Sequence, residues 1–490
     1  MSRKRKGEGG WGSVAALLSS FPLLLPSSHW RTLAASGALA VAAGCVGPFA
    51  GDRVGGAAAA YRAGEPAFAL DAVATVADDG ATGVDVYLSL PPETLIFRQA
   101  GGGDGGAFEA AVRWSVSVEG EGLPPVTRDP VDTVRVAAPE GAPDADPVAR
   151  VLRVDVPPGQ YTVEAVAEDA RSGRTARRRA SVEVPAPSGA PALGGLRLEG
   201  RLPSGRVGPL VARALPAGAD SLTVVAQATG APDGSAVALT VLRYPTDTTA
   251  ASPPSAFTPG PMTLAARGVG GARDTVAAVR QRLGAPGPAV RVEAPVPALR
   301  PGLYRVALDL VGPDGARLDG AERVVVVRRR DYPRLTRLGD LVDPLVYIAS
   351  PAELGRLRAA VATAGGRRAF DRFWGEEIDD RRVAAATVRA FYDRVEEANR
   401  LFSNHKDGWK TDPGMAYVLF GPPAYVDPTP TGETWSYGGG GPAPPVLVFE
   451  RTAGRLGDPS PTEVLTLVRD RQYHDAWLQA RRHWRAGRAR

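Results

Sequence analysis

Short runs that alternate apolar and polar residues dominate residues 68–184 of the chain. Residues 84–89 and 112–119 carry an apolar side chain at every second position. Further runs of this kind occupy residues 154–156, 161–165 and 182–184. Such alternation, interrupted by a turn about every ten residues, is typical of a β-sandwich. We therefore predict a first sandwich domain over residues 65–186.

A proline-rich linker at 187–194 separates this domain from a second set of strands. Apolar runs resume at residues 196–198, 222–225, 237–242, 290–292 and 324–327. They predict a second sandwich over residues 195–330. Residues 245–260 are rich in Pro, Ser and Thr, and we expect them to form a mobile loop.

The two predicted sandwiches share a short motif. Residues Pro158–Tyr161 read Pro-Gly-Gln-Tyr, and residues Pro301–Tyr304 read Pro-Gly-Leu-Tyr. A Pro-Gly turn reverses the chain, and a Tyr at the start of the next strand can cap the sandwich with its hydroxyl on a backbone oxygen. The motif indicates either two sandwiches of similar design or two unrelated sandwiches that use the same common turn.

After residue 331 the apolar positions follow a helical period. Ser350-Pro-Ala-Glu353 fits a capping box with Pro at the first helical position. Apolar spacing predicts further helices at 368–374, 387–402 and 473–485. Residues 331–490 also hold 18 of the 32 aromatic residues, which favours a separate core. The expected fold is therefore multidomain and mainly β: two tandem Ig-like β-sandwiches followed by an α+β domain over residues 331–490.

One segment of this last domain is unusual. Gly408 and Gly414 bracket a predicted tight loop, in which Thr411 and Asp412 are expected to hydrogen-bond with the loop backbone. Residues 415–420 are continuously apolar and are predicted to form a buried strand, ended by Gly421-Pro422-Pro423. Further strands are predicted at 433–437, 446–449 and 464–468.

This segment resembles the GWxTD domain of bacterial exported proteins. The match to the name is Gly408-Trp409-Lys410-Thr411-Asp412, followed by Gly414 and by Gly421-Pro422-Pro423. Glu433-Thr-Trp435-Ser-Tyr437 and the earlier Phe391-Tyr-Asp-Arg394 extend the likeness over residues 340–485. The family usually has Arg before Gly414, where this chain has Pro413. The resemblance implies a domain and its motif residues, but no established activity.

The same region concentrates residue types that are rare elsewhere. Asn399 and Asn404 are the only asparagines, and Lys406 and Lys410 are the only lysines beyond Lys6. Four such residues within twelve positions indicate a local chemical requirement or a chance cluster.

The N-terminus has the layout of an export signal. Arg31 precedes a short apolar core that ends in Ala43-Gly44-Cys45. This ending resembles a bacterial lipoprotein signal, although Ala42 stands where that family usually has Leu. The resemblance implies lipidation of Cys45 and a membrane anchor, with residues 1–45 as signal peptide and 46–64 as flexible tether. By the same resemblance, the presence of Val46 in place of Asp after the cysteine implies the outer membrane. A conventionally cleaved or uncleaved signal with an incidental cysteine is the alternative.

Charge and cysteine content exclude several classes. The formal net charge is +5, but residues 1–44 hold five basic residues and one acid. The remaining 53 basic and 52 acidic residues leave +1, which argues against a nucleic-acid partner. A single cysteine allows no disulfide within the chain and no cysteine-based metal site.

Catalytic motifs are missing from the sequence. It contains no H-E-x-x-H, no G-x-S-x-G and no P-loop, and we expect neither a metal nor another cofactor. The best acid–base set is His405, Asp412 and Glu433 around Trp409. Alternatively, Asp412 and Thr411 cap the loop, Trp409 fills the core and Glu433 pairs with an arginine such as Arg394.

The favoured function is that of a non-catalytic, membrane-anchored envelope protein. Its C-terminal domain would bind a protein or glycan partner, since Tyr and Trp suit such surfaces when exposed. The alternative is an envelope hydrolase that acts on glycan or peptide through His405, Asp412 and Glu433.

Overall fold

The computed structural model describes residues 66–489 with internal gaps. The gaps are 77–80, 101–105, 140–144, 187–189, 203, 212–213, 217–221, 246–248, 257–273, 285–289, 297, 330, 439–443, 445 and 453–463. The predicted export signal, Cys45 and the tether lie outside the described residues. No helix in the described part is long and apolar enough to cross a membrane.

The described chain is mainly β, with helices concentrated after residue 331. The strands are β1 (Ala69–Val76), β2 (Thr82–Leu90), β3 (Arg98–Gln99), β4 (Phe108–Gly120), β5 (Val126–Arg128), β6 (Val131–Val136), β7 (Val148–Asp155), β8 (Gly159–Asp169), β9 (Thr175–Val184), β10 (Ala192–Leu193), β11 (Arg197–Arg201), β12 (Val207–Pro209), β13 (Ala214–Pro216), β14 (Leu222–Thr229), β15 (Ala236–Tyr244), β16 (Asp274–Arg282), β17 (Val290–Val296), β18 (Gly302–Val311), β19 (Arg317–Arg328), β20 (Tyr425–Thr429), β21 (Gly432–Ser436), β22 (Val446–Thr452) and β23 (Val464–Leu467). The helices are α1 (Leu338–Val342), α2 (Pro351–Val361), α3 (Gly366–Gly375), α4 (Arg381–Phe402), α5 (Asp412–Phe420) and α6 (Tyr473–Arg485).

The first β region, residues 66–186, contains two sheets around one core. One sheet has the order β1-β2-β7, and the other has the order β3-β4-β8-β9 with β5 and β6 also paired to β4. Every second side chain of β4 is buried, as the alternation predicts. Trp114 on β4 and Val86 on β2 belong to the same hydrophobic cluster, so the core lies between the two sheets.

The second β region, residues 190–329, also has two sheets. One has the order β10-β14-β11-β12 with β17 paired to β14, and the other has the order β13-β19-β18-β15-β16. Leu198, Val224 and Leu308 are fully buried in a cluster that draws on both sheets. The β13–β19 pair is parallel, whereas the other strand pairs of this region are antiparallel among the described residues.

The shared Pro-Gly-x-Tyr motif has the same geometry in both regions. Tyr161 donates its hydroxyl hydrogen to the carbonyl oxygen of Pro157 at 2.7 Å, and Tyr304 donates to that of Arg300 at 2.7 Å. In each case the acceptor lies four residues upstream, and the tyrosine ring is buried. The predicted contact of the hydroxyl with the backbone is confirmed at both sites.

The C-terminal region, residues 331–489, combines the six helices with the antiparallel sheet β20-β21-β22-β23. The predicted capping box is present at α2: Ser350 accepts from the N–H of Glu353, and Glu353 accepts from the N–H of Ser350. The predicted helix 473–485 coincides with α6, and the predicted helix 387–402 forms the C-terminal part of α4.

The prediction of a strand at 415–420 is wrong, because these residues belong to α5. Thr411 caps the N-terminus of this helix, Pro413 lies in its first turn, and Gly421 ends it with a φ of 85°. Residues 412–419 are all buried. A helix buried on every side has no polar face, so its apolar run does not differ in pattern from a buried strand.

Residues 249–256 form a loop, as the prediction for 245–260 states, but their contacts do not fit the expected mobility. Ala251 is 5% exposed and belongs to the hydrophobic cluster of the C-terminal region. The backbone oxygen of Thr249 accepts from Lys406 Nζ at 3.0 Å, and that of Ser252 accepts from Arg469 Nη2 at 3.2 Å. Because these partners lie about 150 residues or more further along the chain, the local composition does not reveal them.

Candidate functional site

The motif segment begins as a single turn of 3₁₀-helix at Gly408–Lys410 and continues into α5. Both glycines lie where two backbones touch. A Cβ on Gly408 would overlap the carbonyl oxygen of Ala398 on α4, and one on Gly414 would overlap the carbonyl oxygen of Gly408. The two glycines therefore allow α4, the 3₁₀ turn and α5 to pack against each other without side chains between them.

Trp409 fills the space beneath this turn. Its side chain is 3% exposed, and its ring meets that of Tyr347 edge to face, with 5.9 Å between centroids. The Tyr347 hydroxyl donates to the backbone oxygen of Trp409 at 2.7 Å. Burial raises the pKa of Tyr347 well above its usual value, so this hydroxyl stays protonated and remains a donor. Trp409 is thus a core residue.

Thr411 makes the backbone contacts predicted for it. Its hydroxyl donates to the carbonyl oxygen of Gly408 at 2.7 Å and accepts from the N–H of Gly414 at 3.1 Å. The second bond satisfies one of the free N–H groups at the start of α5.

Asp412 reaches across to β23. One carboxylate oxygen accepts from the N–H of Leu467 at 2.8 Å and from Arg469 Nη1 at 2.9 Å, and the other accepts from Arg469 Nη2 at 2.6 Å. The side chains of Asp412 and Arg469 are only 8% and 5% exposed. The expected bond of Asp412 to its own loop is replaced by a buried, two-point ion pair with the segment that follows β23.

Glu433 lies on the buried face of β21 and is 2% exposed. It accepts a hydrogen bond from Trp435 Nε1 at 3.0 Å. The strand register aligns Glu433 with Phe449, and Phe449 with Leu467. Two strand spacings, about 10 Å, therefore separate Glu433 from the residue that Asp412 contacts.

His405 is buried in the turn between α4 and the motif, at 6% exposure. Its neighbours in sequence contact other regions of the chain: the backbone oxygen of Asn404 accepts from Arg328, and Lys406 reaches Thr249. The three acid–base candidates thus lie in three buried settings: the turn after α4, the first turn of α5 and the inner face of β21.

Residues from the parts of the family motif before and after Gly408–Asp412 lie close together elsewhere in the C-terminal region. Gly421, buried and with a φ of 85°, lies against the guanidinium of Arg394. Arg394 also stacks on the ring of Trp484 at 4.9 Å, and the Tyr437 hydroxyl approaches the backbone oxygen of Gly421 at 3.4 Å. Pro422 is exposed and Pro423 is buried. Burial lowers the pKa of Arg394 from its usual value.

The rare residues of 399–410 hold segments together. Asn399 donates to the backbone oxygen of Pro333 at 3.0 Å and accepts from the N–H of Trp409 at 3.3 Å. Tyr332 donates to the backbone oxygen of Asn399, and Lys410 Nζ lies 5.3 Å from the Trp409 ring centroid. Together with Lys406, these contacts join α4 and the motif to residues 249–256 and 328–333. The cluster therefore serves a structural requirement.

Sequence reasoning missed Arg469, the partner of Asp412. It follows a short strand and belongs to no motif that we identified, so no pattern marks it. No group of three or more His, Cys, Asp or Glu side chains is placed to hold a metal ion within the described ranges.

The family model of the GWxTD domain matches residues 312–486. The chain therefore contains a GWxTD domain, which covers about a third of its length. The match begins before β19, so the family's domain includes the last strand of the second β region in addition to the C-terminal region.

Other comparisons add little. No curated protein matches the chain. A crystal structure of red sea bream transglutaminase is similar at 14% identity and a TM-score of 0.14, over 53% of this chain and 31% of the transglutaminase. This chain thus spans about a third of that protein, and a TM-score so low carries no argument about fold or function.

Proposed function

We propose that this protein is a non-catalytic, membrane-anchored protein of the bacterial cell envelope whose C-terminal region binds a partner protein. The observation that carries the proposal is the burial of the motif residues. The side chains of four motif residues are at most 8% exposed and are engaged in contacts within the fold: Trp409, Thr411, Asp412 and Glu433. A residue that is needed to hold the fold and hidden from solvent is poorly suited to meet a substrate.

The hydrolase alternative requires that Asp412 or Glu433 exchange a proton with a substrate. Three N–H donors occupy the Asp412 carboxylate, and Glu433 lies on the inner face of the sheet. These contacts favour the binding function over the hydrolase.

The outer face of the C-terminal sheet is the surface that supports binding. It exposes Tyr425 at 67%, Val446 at 39%, Val448 at 38% and, just after β23, Val468 at 40%. Ser436 pairs with both Tyr425 and Val446 across the strands, so these side chains form one row. Exposed apolar side chains that gather on one face are typical of interaction sites. The same face also carries polar side chains, Thr434 and Ser436 on β21 and Glu450 on β22. A mixture of exposed apolar and polar side chains is typical of surfaces that bind a protein.

In this proposal the two β regions are tandem Ig-like sandwiches that act as a stalk. The tyrosine hydroxyl bond four residues upstream, present in both regions, supports the Ig-like assignment because such a tyrosine corner is a feature of that fold. The anchor is a lipid on Cys45, and Val46 favours the outer membrane. Cys45→Ser should release the protein from membranes; a variant that stays in the membrane fraction would contradict lipidation.

The binding face is tested by copurification from crosslinked native membranes. The double variant Tyr425→Ser/Val448→Thr changes only exposed side chains, so it should fold normally and lose a specific partner. Val207→Thr is the matched control, because Val207 is 60% exposed on β12 of the second β region. A partner that is retained by the double variant, or lost equally in the control, would contradict the proposal.

A further inference from the structure

A polar cavity lies where the first and second β regions meet. Its volume is about 210 Å³, and its walls come from β1, β2 and β7 on one side and β11 and β14 on the other. The polar groups that line it belong to Thr75, Asp85, Arg153, Arg197 and Gln227. Ligand sites occur preferentially at such junctions between domains.

The junction around the cavity is held in place by direct contacts. The Gln227 side chain accepts from the N–H of Val76 at 3.0 Å and donates to its backbone oxygen at 3.1 Å. Arg323 forms an ion pair with Asp71 at 2.5 Å. Val73 and Tyr87 of the first region pack with Val211 of the second. The cavity walls are therefore positioned before any ligand arrives.

The two arginines of the cavity differ in their partners. Arg153 forms ion pairs with Asp155 at 2.8 Å and with Asp85 at 3.8 Å. Arg197 donates instead to the neutral hydroxyl of Tyr87 and stacks on its ring at 5.1 Å. No carboxylate of the described residues forms an ion pair with Arg197, although its side chain is half-buried.

Tyr87 fixes the position of that guanidinium. Its hydroxyl donates to Asp85 at 3.3 Å while it accepts from Arg197. Burial raises the pKa of Tyr87 to about 12, so the hydroxyl keeps its proton at neutral pH. The chain Arg197–Tyr87–Asp85 thus holds a positive charge and a hydrogen-bond acceptor a short distance apart on the cavity wall.

We propose that this cavity binds a small hydroxylated carboxylate, of the size of a sugar acid, with its carboxylate on Arg197 and a hydroxyl on Asp85. A guanidinium matches a carboxylate with two parallel hydrogen bonds. Arg153 is balanced by Asp85 and Asp155, so Arg197 is the positive charge on the lining that an anion would meet. The volume is below the roughly 300 Å³ at which sites for drug-sized ligands begin, which limits the ligand to a single small unit.

The test is isothermal titration of the full-length protein with glucuronate, and with glucose as the neutral match. We expect saturable binding of glucuronate with a Kd of about 1 mM or tighter and at least tenfold weaker binding of glucose. Equal binding of the two sugars, or no saturable binding of glucuronate up to about 10 mM, would overturn the proposal.

Three variants distinguish a loss of ligand recognition from a loss of folded structure. Arg197→Gln should weaken glucuronate binding at least tenfold. Asp85→Asn, which removes the opposing charge but keeps an acceptor, should tighten it. Arg201→Gln, on the same strand but exposed and bonded to the backbone oxygen of Gly205, should leave it unchanged. Because a loss of structure weakens binding in every variant, opposite signs at Arg197 and Asp85 support the site, and the same sign at both contradicts it.

Discussion

The second β region contacts the C-terminal region at one junction and the first β region at another. An arginine lies at each junction, but the two arginines have different partners. At the C-terminal junction Arg469 forms a buried two-point ion pair with Asp412 and also donates to Ser252. At the first junction Arg197 ends on a tyrosine hydroxyl beside a cavity of about 210 Å³. We call the C-terminal junction closed and the first junction, with its cavity, open. The GWxTD motif lies at the closed junction, and we identified no sequence motif at the open one.

This difference shows that a distinctive sequence motif can have a purely structural cause, and that a cavity site can lack a motif. Residues that make close backbone contacts, such as Gly408 and Gly414, permit very few substitutes, and so do buried ion pairs. They produce a motif without any ligand. A site that faces a cavity needs only a few polar side chains from separate strands, and those leave no recognisable spacing along the chain.

A large effect on stability is expected at Trp409, at the closed junction. Trp409→Ala should destabilise the protein by about 3–5 kcal/mol, because it leaves a cavity beside Tyr347 and removes a buried indole. Chemical denaturation measures the loss. A change below about 1 kcal/mol would mean that the ring is not part of the core.

The addition of one methyl group at the close backbone contact of Gly414 should lower the stability of the protein. Gly414→Ala should cost about 3 kcal/mol, since the new Cβ meets backbone atoms of Gly408 and Trp409 that cannot rotate away. Gly355→Ala is the matched control within α2, where a Cβ meets nothing within 4 Å. It should stabilise the protein by about 0.5–1 kcal/mol. Equal effects of the two substitutions would refute the contact.

The open junction should tolerate the loss of its arginine better than the closed one. Arg197→Gln removes one hydrogen bond and one stacking contact but leaves no carboxylate behind, so it should cost about 1–2 kcal/mol without ligand. Thermal unfolding of this variant beside Arg469→Ala checks the order. If Arg197→Gln is the more damaging of the two, the comparison between the junctions is wrong.

The smallest effects are expected inside the two β regions, where the geometry is the same. Tyr161→Phe and Tyr304→Phe each remove one hydroxyl bond to a carbonyl four residues upstream. Each should cost about 1 kcal/mol. Hydrogen exchange of strands β8 and β18 can assign the loss to the correct region, and a large difference between the variants would show that the two corners are not equivalent.

The parts of the fold that the sequence predicted are those fixed by local interactions. The capping box at Ser350, the helix 473–485 and the alternation along β4 depend on neighbours within a few residues or on one buried face. The C-terminal domain was predictable because its motif is long and distinctive.

The parts that failed depend on distant contacts. Residues 415–420 have no periodicity because α5 is buried on every side. Residues 249–256 are ordered by Lys406 and Arg469, which no local pattern connects to them. The partner of Asp412 and the cavity at Arg197 likewise require strands that meet only in the folded chain.

The central claim is that the motif aspartate holds the fold together, and a double-mutant cycle on Asp412 and Arg469 tests it most directly. Asp412→Ala and Arg469→Ala should each cost about 3–5 kcal/mol, because each leaves a buried charge without its partner. The double variant should cost clearly less than the sum of the two, which gives a coupling of about 2 kcal/mol or more. The exposed pair Arg367 and Asp371 on α3 is the control, with an expected coupling below about 0.5 kcal/mol. Single variants of Asp412 and Arg469 that unfold like the wild type would contradict the structural role and leave Asp412 available for another function.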